Sequence, residues 1–166
     1  MAHDQLAQVN IGRVRAPLDD PLMDGFRTQL DPINALADRS PGFVWRLQTE
    51  DGNATAIHAF DDDLLLVNMS VWESIDALSD FVYRSAHVNV MKRRREWFET
   101  MDEQFLVLWW VPAGTQPDLN EAKRRLELLR ANGPTPDAFT FRQSFAPGAA
   151  ADAAADIDDR WSCPTA

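Results

Sequence analysis

The sequence predicts one α+β domain, because stretches with strand periodicity alternate with stretches of helical periodicity along most of the chain. A length of 166 residues suits a single domain with a substantial core. Hydrophobic residues make up 45% of the chain and charged residues 25%, which is typical of a globular protein. We expect the domain to span residues 1–145. Residues 146–166 are rich in alanine and aspartate without a stable pattern, so they are predicted to form a disordered acidic tail.

The first half of the chain begins with a predicted strand over residues 6–14, where apolar and polar side chains alternate. An amphipathic helix follows, with apolar residues every three or four positions, and Pro32 should kink it. Residues 40–42, Ser-Pro-Gly, end this helix, and a second strand is predicted over 43–48.

The middle of the chain carries the clearest strand. Residues 50–53 contain an Asp-Gly hairpin signal, and a short strand is plausible over 55–60. A third long strand is predicted over 64–72, with apolar residues at odd positions and polar or aromatic residues at even positions from Asn68 to Trp72. This alternation indicates that one face packs in a core while the other has a separate role.

The second half begins with helical character from Ser74 to Phe98, with a break near Ser85. A fully apolar run over 105–111 predicts a strand covered on both faces. Asp118, with Glu121 three residues later, resembles a capping box and predicts a C-terminal helix. A last edge strand is predicted over 139–142.

The order of these elements is β-α-β-(β)-β-α-β followed by a helix, which is the ferredoxin-like split βαβ plan with an antiparallel sheet and helices on one face. We expect the apolar strand faces, with Val9 and Met69, to meet the helices. The opposite face, with Gln8, Asn10 and Asn68, would then remain open. A half-open sheet of this kind favours closure against a second subunit, so the sequence predicts a homodimer.

Several longer motifs resemble an uncharacterised bacterial family, a domain of unknown function in the dimeric α/β-barrel superfamily. They are Leu6-Ala-Gln-Val-Asn-Ile, Asp31-Pro-Ile-Asn-Ala-Leu, Ser40-Pro-Gly-Phe-Val-Trp-Arg-Leu, Tyr83-Arg-Ser-Ala-His and Arg93-Arg-Arg-Glu-Trp-Phe. The resemblance implies a dimeric α/β barrel with an extra C-terminal helix. The superfamily includes antibiotic biosynthesis monooxygenases, haem-degrading monooxygenases and muconolactone-isomerase-like enzymes. Their chemistry does not transfer with the fold, because sites are grafted onto folds.

The strongest candidate site is Asn68-x-Ser70-x-Trp72, whose side chains share one face of a strand. The spacing is similar to that of cofactor-free, quinone-forming monooxygenases in the superfamily. The Asn68 amide could stabilise an enolate-like or peroxide oxygen, and the Trp72 indole could stack on a flat substrate. A structural role fits as well, with Asn68 and Ser70 satisfying hydrogen bonds at a subunit boundary while Trp72 fills the core.

A second candidate lies on the helical segment, where Tyr83, His87 and Arg94 would form one stripe if the helix were continuous. His87 could act as a base and Arg94 could bind the resulting anion. The alternative is that Tyr83 and His87 pack a helix junction and Arg94 lies on a solvated face. The haem-degrading relatives have a tryptophan shortly before their histidine ligand, and this sequence has none there, which argues against haem at His87.

Other functional classes lack support in the sequence. Asn10 and Gln8 are further candidates for the same cavity, whereas only one of Trp45 and Arg46 can point into it.

The three histidines are far apart, and there is no phosphate loop or nucleophile elbow, so neither a metal nor a cofactor is predicted. The net charge of −10 disfavours nucleic acid and anionic membranes as partners. The single cysteine, Cys163, and the absence of a secretory signal at the first residues predict a cytoplasmic protein.

Two hypotheses for function follow. The first is a cofactor-independent monooxygenase-like or isomerase-like enzyme that acts on a small aromatic or enolisable compound in the dimer-barrel cavity. The second is a non-catalytic module that binds or senses a small molecule there. The first rests on the Asn68, Ser70 and Trp72 face together with His87, and the second on the scarcity of acid–base groups.

Overall fold

The structure is a computed structural model that describes residues 3–49 and 60–149. Within them, the strands of an antiparallel sheet have the order β2-β3-β1-β4. The strands are β1 (Gln5–Arg13), β2 (Phe43–Arg46), β3 (Leu65–Trp72) and β4 (Leu106–Val111). A short 3-10 helix (Pro21–Met23) leads into α1 (Asp24–Arg39), and the later helices are α2 (Ile75–Arg84), α3 (His87–Lys92), α4 (Arg94–Trp97) and α5 (Leu119–Asn132).

The strand order confirms the predicted ferredoxin-like α+β fold, since the first and third long strands are central neighbours and the last strand lies beside the first. The predicted hairpin at 50–53 and most of the short strand at 55–60 lie outside the described residues. The predicted edge strand at 139–142 is wrong. Only Phe139 pairs with β4, through two backbone hydrogen bonds to Leu108 of 2.8 and 2.9 Å, before the chain turns away.

The helical region after β3 is broken twice, once as predicted and once unexpectedly. Ser85 ends α2 in an extended conformation, and its hydroxyl both donates to the Phe81 carbonyl and accepts from the His87 backbone N–H. A second break at Arg93 separates α3 from α4. Pro32 lies inside α1, which continues through it to Arg39. No helix in the described ranges is long and apolar enough to cross a membrane.

The outer face of the sheet is closed by α5. This helix begins at Asp118, whose side chain accepts from the Glu121 N–H at 2.8 Å, and it ends at Gly133, which has a φ of 71°. Glu121 pairs with Arg125 and does not complete the capping box. The contact buries apolar side chains from three strands against one stripe of the helix. They are Ala7, Val9, Ile11, Val67, Met69, Val71, Val107, Trp109 and Val111, packed with Ala122, Leu126 and Leu129.

The inner face of the sheet carries the polar residues and is covered by α1 to α4. Ala37 of α1 and Leu78 of α2 pack with Trp72 at one end of this face. The prediction that the helices meet Val9 and Met69 is correct for α5 and wrong for α1 to α4, because the helices that follow β1 and β3 cover Gln8 and Asn68 instead. Packing on either face of the sheet would bury apolar area. The purely apolar face is covered by α5, because this helix carries a continuous stripe of aliphatic side chains.

This arrangement removes the argument that led us to expect a dimer. The buried apolar residues that the three strands place on the outer face are at most 6% exposed within one chain, so this face needs no second subunit to shield it. The homodimer stays a prediction, which analytical ultracentrifugation can test.

Candidate functional site

A cavity of about 590 Å³ lies between the inner face of the sheet and helices α1 to α4. Its size is in the range of small-molecule sites, and its walls are mainly apolar and aromatic. The cavity is formed by the sheet and helices of one chain, so the predicted dimer-barrel location is wrong. All the side chains predicted as site residues line it. They are Asn10, Asn68, Ser70, Trp72, Tyr83, His87 and Arg94.

Gln8 lies at the centre of a hydrogen-bonded network on the cavity floor. Its Nε2 donates to Asn68 Oδ1 at 2.7 Å and to Ser70 Oγ at 2.8 Å, and its Oε1 accepts from Asn10 Nδ2 at 3.0 Å. The register of β1 and β3 explains this clustering, because Gln8 is opposite Ser70 and Asn10 is opposite Asn68. Gln8 is only 3% exposed, so its amide is held by these partners rather than by solvent.

Asn68 is oriented by this network so that its amide nitrogen remains available. Its Oδ1 accepts from Gln8 and also from Asn10 at 3.3 Å. Its Nδ2 has no acceptor among the described residues, and the side chain is exposed and lines the cavity. Asn68 therefore presents a fixed N–H donor to any molecule bound there.

Trp72 is a buried part of the wall at the end of β3. It is 1% exposed, and its ring stacks on Phe81 at 5.2 Å and meets Phe43 edge-on at 5.4 Å, between ring centroids. Its Nε1 donates to Ser70 Oγ at 2.9 Å. Ser70 Oγ thus accepts from both Gln8 and Trp72, which couples the indole to the amide network.

His87 is half-buried at the start of α3, with its ring centroid 4.9 Å from that of Phe81. Its Nδ1 lies 3.4 Å from the Val82 carbonyl oxygen, which favours the tautomer that donates from Nδ1 and leaves Nε2 as a base. Burial lowers the pKa of His87 below its ordinary value of 6.5, the Val82 carbonyl opposes this shift, and the charge of Arg94 adds to it. The imidazole is therefore neutral at pH 7.

Arg94 approaches the opposite end of the floor from Trp72. Its guanidinium carbon lies 4.6 Å from the ring centroid of Phe98 and 5.1 Å from that of Phe105. A Cβ at Gly12 would lie 2.6 Å from the Phe98 ring and 3.2 Å from Arg94 Nη2, so only glycine permits this approach to β1. Gly12 is the next inward position after Asn10, about 7 Å along the strand. Arg94 therefore borders the amide network.

Tyr83, His87 and Arg94 come together although the predicted continuous helix does not exist. They lie in three separate helices, and the two breaks turn each side chain towards the same cavity. The ring of Tyr83 packs edge-on against Phe141, with 5.7 Å between centroids. The three residues thus line one cavity as predicted, but the continuous helix on which the prediction was based does not exist.

The sequence left the choice between Trp45 and Arg46 open, and it did not predict several other cavity residues. Arg46, rather than Trp45, faces the cavity and pairs with Asp38 of α1 at 2.7 Å, and its register opposite Ser70 explains the choice. Gln29 and Asn34 are polar residues within the apolar stripe of α1, a signal that could have revealed them. Arg142 reaches the cavity through the turn after Phe139, which no local pattern indicates.

No cluster of three or more histidine, cysteine, aspartate or glutamate side chains in the described residues could hold a metal ion. Asp62 is instead engaged with Arg13, whose guanidinium lowers the pKa of that carboxyl group.

The sequence matches the family model described as domain of unknown function DUF3291 over residues 5–155. The chain belongs to this family. Membership confirms the resemblance to a domain-of-unknown-function family. No curated protein matches the chain.

Solved structures with a similar chain path include SnoaB, a cofactor-independent oxygenase from Streptomyces nogalater, at 22% identity and a TM-score of 0.44, covering 70% of this chain and 100% of that one. PA3566 from Pseudomonas aeruginosa is 12% identical with a TM-score of 0.45, covering 69% of this chain and 99% of that one. Neither similarity by itself indicates a function for this chain.

Proposed function

We propose that this protein is an enzyme that acts without a cofactor on a small aromatic or enolisable compound, as an oxygenase or an isomerase-like catalyst. The observation that carries the proposal is the fixed amide nitrogen of Asn68, which borders a cavity that also holds a neutral imidazole and a guanidinium. An oriented donor costs little reorganisation when charge develops on a substrate oxygen.

His87 is the proposed base. Its depressed pKa keeps the imidazole neutral at pH 7, and the contact of Nδ1 with the Val82 carbonyl leaves the Nε2 lone pair free to accept a proton. The proton would come from a carbon conjugated with a carbonyl group or from the phenol tautomer of the same compound. Proton transfer from an acidic C–H or O–H group is what both an oxygenase and an isomerase of this kind require.

Asn68 and Arg94 would stabilise the resulting anion. Asn68 Nδ2 offers one hydrogen bond. Arg94 supplies positive charge beside Gly12, which is the inward-facing position of β1 that follows Asn10. The two groups would therefore act on the same substrate oxygen, one through a hydrogen bond and the other through its charge.

In the oxygenase reaction the anion reduces dioxygen, which is the co-substrate. A ring CH₂ group and O₂ yield a C=O group and H₂O. The carbon forms a bond to one oxygen atom, the O–O bond breaks, and the second oxygen leaves as water with the two hydrogens of the CH₂ group. The substrate supplies four electrons and dioxygen takes up four. In the isomerase reaction, His87 returns the proton to a different carbon and no oxygen is consumed.

The remaining predicted residues have supporting roles in this proposal. Asn10 and Ser70 hold the network that orients Asn68, and Trp72 acts as a positioning residue through its bond to Ser70. Trp72 is not a stacking platform in this scheme, because its ring is already packed against Phe81 and Phe43. Tyr83 lines the wall.

The test is oxygen uptake with anthrone, a cyclic ketone that has a ring CH₂ group and a phenol tautomer. The oxygenase proposal expects one O₂ consumed per molecule converted and one labelled atom in the product ketone when ¹⁸O₂ is supplied. Exchange of the CH₂ protons with ²H₂O without oxygen uptake would indicate the isomerase reaction. Absence of both across a panel of such ketones and phenols would overturn the proposal.

Variants of the two central residues sharpen the test. His87→Ala and Asn68→Ala should each lower kcat by about 10²-fold to 10³-fold while the far-UV circular dichroism spectrum is retained. The matched controls are His3→Ala and Asn120→Ala, which replace exposed residues away from the cavity and should leave kcat unchanged. Equal activity of the His87→Ala variant and the wild type would exclude His87 as the base.

The alternative function is a non-catalytic module that binds or senses a small molecule. It is favoured by the scarcity of titratable groups in a wall that is mainly apolar and aromatic, where His87 and Tyr83 are the described candidates for proton transfer. Saturable binding of a compound that is recovered unchanged, with no proton exchange, would support this alternative.

A further inference from the structure

The charged residues of the cavity differ from those of the whole chain. The chain has 26 acidic residues against 16 basic ones. Yet three arginines and a histidine line the cavity, and no aspartate or glutamate stands among the described residues that form its walls. Low-dielectric walls strengthen the field of these cations inside the cavity. The cavity is thus suited to an anion although the protein as a whole is strongly acidic.

The three arginines are not equivalent. Arg46 forms two hydrogen bonds with the Asp38 carboxylate, of 2.7 and 3.2 Å, so its charge is largely compensated. Arg94 packs over two phenylalanine rings at the end of the cavity that contains the amide network. Arg142 is exposed, lines the cavity, and forms no hydrogen bond or ion pair with any other part of the described chain. Arg142 is therefore the cation that is available to a ligand.

Arg142 lies in the segment that follows Phe139, whereas the amide network lies on β1 and β3. The segment that carries it is attached to the edge of β4 through Phe139, and β1 and β4 lie between this edge and Asn68 on β3. Three strand spacings place Phe139, the residue of this segment that pairs with the sheet, roughly 14 Å from β3. Arg142 and Asn68 line the same cavity of about 590 Å³, which is large enough for a flat molecule of two or three fused rings.

We propose that the cavity binds a planar aromatic carboxylate whose carboxylate group pairs with Arg142 at the rim while its ring system lies over Asn68. A guanidinium matches a carboxylate with two parallel hydrogen bonds, and the aromatic pair of Tyr83 and Phe141 provides an apolar wall beside it. The inference rests on the proposed function, because it specifies the substrate class of the same cavity.

The test is isothermal titration calorimetry of the full chain with 2-naphthoate and with 2-naphthamide, which share ring system and shape but differ in charge. The wild type should bind 2-naphthoate at least about tenfold more tightly, and added salt should reduce the difference. Arg142→Gln should remove the preference. The matched control is Arg124→Gln, the same substitution at an exposed position of α5 on the other side of the sheet, which should retain it.

Equal binding of the two compounds to the wild type, no binding of either, or an unchanged preference in the Arg142→Gln variant would each overturn the proposal. Loss of the preference in the Arg124→Gln variant would do so as well, since it would indicate a general effect of protein charge. The readout is binding and needs no turnover. If the preference follows Arg142 and no compound is converted, the carboxylate site stands while the proposed enzyme fails.

Discussion

The two faces of the sheet are built from alternate residues of the same strands, yet they differ in almost every physical respect. On the outer face, Val9 and Met69 pack against α5, and the void between Val9 and this helix is only about 10 Å³. On the inner face, Gln8 and Asn68 form a hydrogen-bonded floor beneath a cavity of about 590 Å³. The outer face thus supplies close packing and stability, which allows the inner face to keep open space beside the Asn68 amide.

The two faces should differ most in the loss of unfolding free energy when a leucine is shortened to alanine. Leu126→Ala on the closed outer face should lower the free energy of unfolding by about 2–5 kcal/mol, because Leu126 is 1% exposed and its removal leaves a void. Leu30→Ala at the half-buried cavity wall should cost about 1 kcal/mol, since water can enter the enlarged space. Chemical denaturation of both variants measures the contrast, and equal losses would contradict the distinction between the faces.

The amide network provides the next largest effect. Gln8→Leu should lower the free energy of unfolding by about 1–3 kcal/mol, because it removes partners of three polar side chains on the cavity floor. Gln5→Leu is the matched control. It lies in the same strand, and its side chain accepts a hydrogen bond from the exposed Gly114 N–H, so a loss below about 0.5 kcal/mol is expected. A similar loss in both variants would show that the network adds no special stability.

The difference between the two faces can also be tested by replacing one buried tryptophan on each face with phenylalanine. Trp72 on the inner face donates to Ser70, whereas Trp109 on the outer face is 0% exposed and its Nε1 has no acceptor in the described part of the chain. Trp72→Phe should therefore cost about 1 kcal/mol more than Trp109→Phe, since only the first change removes a hydrogen bond. Thermal and urea unfolding of the pair measure the difference, and the reverse order would refute the assignment.

The smallest effect is the pH dependence contributed by His87. Its pKa in the fold lies below the ordinary value of 6.5 because of burial, so the unfolded chain takes up a proton first as the pH falls. The free energy of unfolding should therefore decrease as the pH drops through about 6.5 and stop decreasing, for this group, below the pKa of the folded state.

His87→Asn should remove this component, and His3→Asn, at an exposed position, should leave it in place. Urea denaturation between pH 7.5 and pH 5 compares the three proteins. Parallel curves for the wild type and His87→Asn would contradict the depressed pKa.

Much of the fold follows from local patterns that the chain displays in short windows. The alternation in β1 and β3 identified which side chains share a face, and the apolar run before Pro112 identified β4. The cap at Asp118 marked the start of α5. The edge strand at 139–142 was predicted wrongly, because a single ladder pair at Phe139 leaves the same short apolar signature as a strand.

The sequence indicated which residues line the cavity better than it indicated which elements bring them together. Asn10, Asn68 and Ser70 follow from strand parity, which also placed Gln8 beside them. Tyr83, His87 and Arg94 were grouped by assuming one helix, and the breaks at Ser85 and Arg93 depend on hydrogen bonds that the pattern does not reveal.

The sequence by itself determined the four strands of the sheet and most helix boundaries. It also determined the division of strand residues between two faces, because side-chain direction alternates with every residue of an extended chain. The tertiary structure decided which helices cover which face, since both faces carry enough apolar area to pack. It also decided that the cavity lies inside one chain and that Arg142 reaches it, because these depend on contacts between residues far apart in sequence.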